Sequence, residues 1–234
     1  SYGMGDFLGA GAFALTSAWL LFFLTTFCGL SAVEASSIFA IARVVDAVMA
    51  PTMGYITDNF HKTKLGKRFG RRHFFILISI PLMVVYTLIW ISGFSYWYYL
   101  TTYILFEIVY SMILIPYDTL AAEMSNNYQT RSKFTGARMF IAQASAVFAA
   151  YIPGRLIHAL GQDDPMSFLY SGMIFTVIIM ACLVLIYKFT WERPYDEIPK
   201  VEKKEERNFW QNVYKIYWDL FSTLRVKTFR HHLG

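Results

Sequence analysis

Six apolar windows, each near the roughly 20 residues that cross a bilayer as a helix, take up most of this chain. They fall at residues 7–27, 36–55, 73–93, 98–120, 138–160 and 168–189. The sequence is 56% hydrophobic and 16% charged, against about 25% charge in soluble domains. Mean hydropathy is +0.40. A soluble core would need six long helices almost without charge, so the expected class is an all-α membrane protein.

Charge distribution sets the orientation. The net charge of +5 invites a nucleic-acid reading, but the basic residues are concentrated in one place. Lys62, Lys64, Lys67, Arg68, Arg71 and Arg72 crowd the loop after the second window, whereas residues 94–97 are uncharged and the turn after the fifth window carries Asp163 and Asp164. Short basic loops remain cytoplasmic. Both termini are therefore expected inside, and topology with lipid headgroups accounts for the basic loop without nucleic acid. Tyr96, Trp97, Tyr98 and Tyr99 open the fourth window where an interfacial aromatic belt is expected.

Residues 1–189 read as a transmembrane bundle, and residues 190–234 as a cytoplasmic linker. The linker starts with mixed charge from Glu192 to Arg207, which reads as solvated. It continues with Phe209, Val213, Ile216, Tyr217, Leu220, Phe221 and Leu224 at helical spacing, an amphipathic helix for the inner surface or for the cytoplasmic loops. Cys28 and Cys182 have no metal-ligand spacing and suggest no disulfide framework. There is no nucleophile–base set and no phosphate-binding glycine loop, so neither an enzyme nor an ATP-driven pump is expected, and no cofactor. The chain opens on Ser1 without an initiator Met and stops at Gly234, and the expectation is a fragment or part of a longer chain.

The second window contains Arg43 and Asp46, three residues apart and followed by Pro51. Charge at that depth costs roughly 2.5–3.5 kcal/mol per residue on insertion scales. Such groups face a partner or a water-filled cavity, which makes a transport pathway the first hypothesis. Glu107 lies in the fourth window at a depth like that of Asp46, with Ser111 one turn further on. Asp46, Glu107 and Ser111 could form one cation site. Alternatively, Asp46 pairs with Arg43, and Glu107 hydrogen-bonds a neighbouring helix as a protonated acid.

Several segments together resemble one family. They are Ser1–Asp6 (SYGMGD), the run from Arg43 to Pro51, Gly54–Asp58 with Leu65–Arg72, Ile115-Pro116-Tyr117, and the spacing from Arg131 to Arg138. In order and spacing they are similar to the glycoside–pentoside–hexuronide:cation symporters, the melibiose-permease-like branch of the major facilitator superfamily. The resemblance implies the six-helix N-terminal half of a twelve-helix fold in the bacterial inner membrane, completed by a missing C-terminal half. It implies cation-coupled symport by alternating access, the coupling cation being a proton or sodium, and a sugar or uronide substrate.

The resemblance also assigns roles. Asp46 matches a cation-binding carboxylate, a possible sodium ligand, and Ser111 matches a hydroxyl ligand. The second carboxylate of that helix is replaced by Ala50, which leans the expectation toward a proton, with sodium open if Glu107 and Ser111 rebuild the site. Arg138 matches an arginine of the sugar pocket, with inner-leaflet anchoring as the alternative. Arg43, Gly9, Ala10 and Leu114 complete the expected substrate-binding positions. Gly9, Ala10 and Leu114 stand where melibiose permease has a lysine and two acids, so melibiose itself is not expected and an anionic sugar is repelled less. Asp58 with Arg71 and Arg72 is expected to form a cytoplasmic gating latch. Competing readings are a lysolipid symporter of related fold and a non-transporting receptor or assembly subunit.

The orientation is directly testable. A cysteine placed at Ser95 should react with an impermeant maleimide from outside, and one at Thr63 should not. The reverse pattern would overturn the topology.

Overall fold

The computed structural model describes residues 7–124, 128–160, 164–192 and 217–218. Every regular element among them is helical. Helix α1 starts with a π-helical stretch, Phe7–Ala12, passes through Phe13–Leu15 and a second π stretch, Thr16–Leu20, and ends with Leu21–Thr26. It is followed by α2 (Ala32–Asn59), the short α3 (Lys64–Phe69), α4 (His73–Leu82), α5 (Val84–Leu88), α6 (Tyr96–Met124), α7 (Tyr128–Leu160) and α8 (Met166–Phe189).

Among the described residues, four segments are long and apolar enough to cross a membrane: Gly9–Thr26, Tyr96–Leu120, Thr135–Ala159 and Met166–Phe189. The other two windows depart from plain apolar spans for separate reasons. Helix α2 has 28 residues, about 42 Å at 1.5 Å each, but carries Arg43 and Asp46. The third window is not one helix. Pro81 has no N–H to donate, and the helix breaks at Met83, whose N–H is shared between Ser79 O and Ile80 O. The result is a shorter apolar segment, His73–Leu88.

Local signals fix the helix ends. Gly29 takes φ +68° in the turn before α2. Ser31 and Glu34 then form a capping box: Glu34 N–H donates to Ser31 Oγ at 3.2 Å, and Ser31 N–H to Glu34 Oε2 at 2.8 Å. Thr63 caps α3 by accepting from Gly66 N–H at 3.0 Å. Pro116 sits inside α6 without ending it. Thr119 Oγ1 donates to the Pro116 carbonyl at 2.8 Å in the same turn. Two tyrosines of the expected aromatic belt tie down the preceding turn: Tyr98 donates to Leu88 O and Tyr99 to Ile91 O, each at 2.9 Å, while Trp97 stays 72% exposed.

Lipid offers no hydrophobic drive between helices, so the bundle depends on close packing and hydrogen bonds. Trp90 stacks on Phe168, and Phe23 lies 5.5 Å from both rings. Thr87 and Thr176 hydroxyls meet at 2.7 Å between α5 and α8. The first π stretch of α1 is held from outside: Tyr86 donates to Ala12 O at 3.3 Å, and Tyr110 to Gly9 O at 3.4 Å.

Beyond α8, the expected linker and the acidic turn at Asp163 lie outside the described residues, except for residues 190–192 and 217–218. The Ser1–Asp6 signature and the side chain of Arg131 also lie outside them. Tyr217 hydrogen-bonds Thr52 Oγ1 at 3.0 Å and the Val48 carbonyl, so this residue of the expected amphipathic helix meets α2.

The packing predicts a contrast between two glycines. A Cβ on Gly172 would lie 2.4 Å from Trp90 Cδ1, whereas one on Gly154 would meet nothing within 4 Å. Gly172→Val should cost about 1–3 kcal/mol through overpacking. Gly154→Ala should be neutral or slightly stabilising. Thermal unfolding in detergent checks both.

Candidate functional site

Helices α2 and α6 make the longest contact in the bundle, and the site lies along it. Arg43 and Asp46 are i,i+3 on α2, and Glu107 and Ser111 are i,i+4 on α6, so each pair shares a face. Arg43 Nη2 donates to Glu107 Oε1 at 2.6 Å. Ser111 Oγ donates to Asp46 Oδ1 at 2.9 Å. Arg43 Nη1 lies 3.9 Å from Asp46 Oδ2, so one guanidinium serves both carboxylates. The residues expected to hold a cation are thus one connected cluster. Arg43 is part of that cluster as well as an expected substrate position.

Exposure is graded across the cluster. The Glu107 side chain is 2% exposed, that of Asp46 34% and that of Arg43 47%. Beneath the guanidinium lies the Phe13 ring of α1, 5.1 Å away. Tyr103, one turn before Glu107 and buried, lies beside Arg43 and Glu107 and meets the Phe39 ring edge-on. Tyr103 was not expected from the sequence, where it is one of many aromatics in a membrane span. Its i,i+4 spacing to Glu107 was the available signal.

The cluster has two carboxylates and one guanidinium, a formal charge of −1 when all are ionised. A proton on either acid, or one monovalent cation, would neutralise it. Among the described residues no group of three or more His, Cys, Asp or Glu side chains is placed to hold a metal ion. The oxygens for sodium would be those of Asp46, Glu107 and Ser111, and Arg43 stands between the two acids.

Arg138 on α7 lies apart from this cluster. Its Nη2 donates to Asp118 Oδ1 at 2.7 Å, and its guanidinium covers the Tyr117 ring at 4.9 Å. Asp118 is 48% exposed at its side chain, so the pair opens onto the surface of the bundle. Gly9 offers its carbonyl to Tyr110, the neighbour of Ser111, and thereby joins α1 to α6. Ala10 and Leu114 are half-buried.

At the opposite end of α2, Arg72 Nη2 donates to Asp58 Oδ1 at 3.1 Å. Arg71 Nε instead lies 3.5 Å from Glu192 Oε1. The sequence reading placed Glu192 in a solvated run; its side chain is 10% exposed and receives backbone N–H groups of residues 71–73. Within a run of alternating charges nothing distinguished it.

Removing one member of a buried ion pair leaves an uncompensated charge, which costs roughly 3–5 kcal/mol where burial is complete. Arg43 is half exposed, so Arg43→Met should cost less than that. Arg43→Met combined with Glu107→Leu should recover much of the loss. A double-mutant cycle on detergent unfolding reads the coupling; strictly additive losses would refute it.

Residues 1–219 match the family model described as MFS/sugar transport protein. The isoprimeverose transporter of Lactiplantibacillus pentosus is 28% identical over 201 residues, 82% of this chain and 41% of that protein. A glucuronide carrier protein homolog of Escherichia coli (strain K12) is 29% identical over 192 residues, 80% of this chain and 41% of that protein. The sodium-dependent lysophosphatidylcholine symporter 1-A of Danio rerio is 31% identical over 160 residues, 64% of this chain and 29% of that protein. The chain spans less than half the length of these relatives. Their names are those of transporters and symporters, not enzymes. With its all-helical, membrane-spanning fold and a charged cluster between two helices, the chain belongs to the MFS/sugar transport protein family.

Proposed function

We propose that this chain forms the N-terminal six-helix half of a secondary transporter, which symports a glycoside, pentoside or uronide with a cation. It would work in the bacterial inner membrane with both termini cytoplasmic, a C-terminal half closing the other side of the cavity. The observation that carries this reading is the Arg43–Glu107–Asp46–Ser111 cluster. It holds charges at membrane depth, is connected by hydrogen bonds, and is open on one side.

The mechanism follows from charge. With no cation bound, Arg43 divides itself between Glu107 and Asp46. A cation arriving at the acids removes the excess negative charge and weakens the hold on the guanidinium. Arg43, over Phe13 on the open side, is then free to take a polar substrate. Arg138, already paired with Asp118, offers a second planar fork for hydroxyl or carboxylate groups. Gly9, Ala10 and Leu114 leave the pocket without the acids and lysine of melibiose permease. The names of the isoprimeverose and glucuronide relatives support this substrate class.

We assign the coupling ion as a proton. Ala50 supplies no ligand, and Arg43 occupies the space between the remaining acids, while a proton needs a single carboxylate. The Danio rerio relative supports a second reading, in which a lysolipid travels with sodium.

Reconstitution of the full-length protein in proteoliposomes tests these readings. A pH gradient alone should drive accumulation of a labelled uronide or pentoside, and Asp46→Asn should abolish the ion-driven part while binding persists. Accumulation driven by sodium at fixed pH, and lost in Glu107→Gln, would overturn the proton assignment. Uptake of a lysolipid but of no sugar would establish the second reading. Arg138→Lys should weaken substrate binding by roughly tenfold, about the 1.4 kcal/mol of one lost charge-assisted hydrogen bond, with little change in cation affinity.

A further inference from the structure

Residues 70–73 turn the chain from α3 into α4, and the turn is built around a carboxylate from the far end of the bundle. Gly70 takes φ +90°, and a Cβ there would lie 2.9 Å from Glu192 Oε2. The first N–H groups of a helix have no partner within it. Here Arg71 N–H donates to Glu192 Oε1 at 2.8 Å, and Arg72 and His73 N–H donate to Oε2 at 2.9 and 3.3 Å. The Arg71 guanidinium flanks the same carboxylate, and His73 Nε2 meets Thr190 Oγ1 at 2.9 Å. The segment leaving α8 is therefore fastened to the start of α4 at two residues, Thr190 and Glu192. A negative charge at a helix N-terminus is also favoured by the helix dipole.

Arg72 joins this anchor to the gate. Its N–H binds Glu192, and its side chain reaches Asp58 on α2. The two contacts differ in kind. The Glu192 side chain is 10% exposed and is held by backbone donors that cannot rotate away, whereas that of Asp58 is 61% exposed and is met by a flexible side chain. The Arg72 side chain is itself 9% exposed, but the solvated Asp58 end screens this pair and weakens it. The geometry points to Glu192 as a positioning residue of the cytoplasmic gate: it fixes residues 70–73 so that Arg72 can close on Asp58 and release it. This inference rests on the transporter reading.

The test uses the full-length protein in inside-out vesicles, with Cys28 and Cys182 replaced by serine and a reporter Leu114→Cys in the cavity. The readout is the rate of labelling by an impermeant maleimide from the cytoplasmic side. Asp58→Ala, which opens the latch, should raise the rate by about 5-fold or more. Glu192→Ala should raise it comparably, and Glu192→Asp should restore part of the closure. The double variant should exceed neither single one. Gly70→Ala, which pushes a methyl into the carboxylate, should reproduce the effect if Glu192→Ala fails to fold. If Asp58→Ala responds but neither Glu192→Ala nor Gly70→Ala does, or if the effects of Asp58→Ala and Glu192→Ala multiply, the inference falls and the gate stands. An unchanged rate in Asp58→Ala would overturn the gate itself, and this inference with it.

Discussion

The ion pair between Arg43 and Glu107 fixes how the second helix lies. A helix with a guanidinium and a carboxylate at membrane depth cannot turn that face to lipid, where each charge costs at least ~2.5 kcal/mol. The pair at 2.6 Å turns the face toward α6. Ser111 reinforces the register one turn further along, and Ser37 with Tyr96 does so near the other end, at 2.9 Å. With that rotation set, the opposite face of α2 carries Val33 and Val44, 79% and 66% exposed. An apolar substitution of both charges would remove the constraint and leave helix packing less specific, even where it raised stability.

Electrostatics at the middle of α2 and near its C-terminal end differ in kind. At mid-helix the charges are side chain to side chain, and all members can change partner. Beyond the C-terminal end Glu192 meets backbone N–H groups, a fixed arrangement of donors. In a transporter the first kind suits a site that must exchange an ion, and the second suits a hinge that must not move. Arg72 takes part in both kinds of contact, through its backbone and through its guanidinium.

The sequence made the apolar windows and the Arg43–Asp46 pair legible, because hydropathy and misplaced charge are local properties. Depth counting along two helices also brought Glu107 and Ser111 close to Asp46, since a straight helix rises evenly. The rest needed the third dimension. Pairing of Arg138 with Asp118 depends on how α7 meets α6, and no periodicity encodes that. Glu192 stood in a charged run whose average property is solvation, and only the fold distinguishes it. The π-helical stretches of α1 were invisible because nothing in FLGAGA or TSAWL marks a π-helix over an α-helix. The break at Met83 was signalled by Pro81, but Pro51 and Pro116 stay inside intact helices, so the residue type alone did not decide.

The gradient of exposure across the cluster is what the proposed transport site would need and a purely structural salt bridge would not. A bridge closed on all sides is screened little by water, at the cost of desolvating both charges, and neither partner is open to exchange. Here the three charged members run from 2% through 34% to 47% exposed, so the buried acid communicates with the open side through Asp46 and Arg43. On the proposed transporter reading, an ion approaching from the cavity would meet Asp46 first, and Glu107 only after the guanidinium moved. Occupancy by a cation and availability of the arginine would then be one event. Coupling between ion and substrate would need no contact longer than the pair itself, and the half-exposed arginine, costly as a stabiliser, would be the element that makes the exchange reversible.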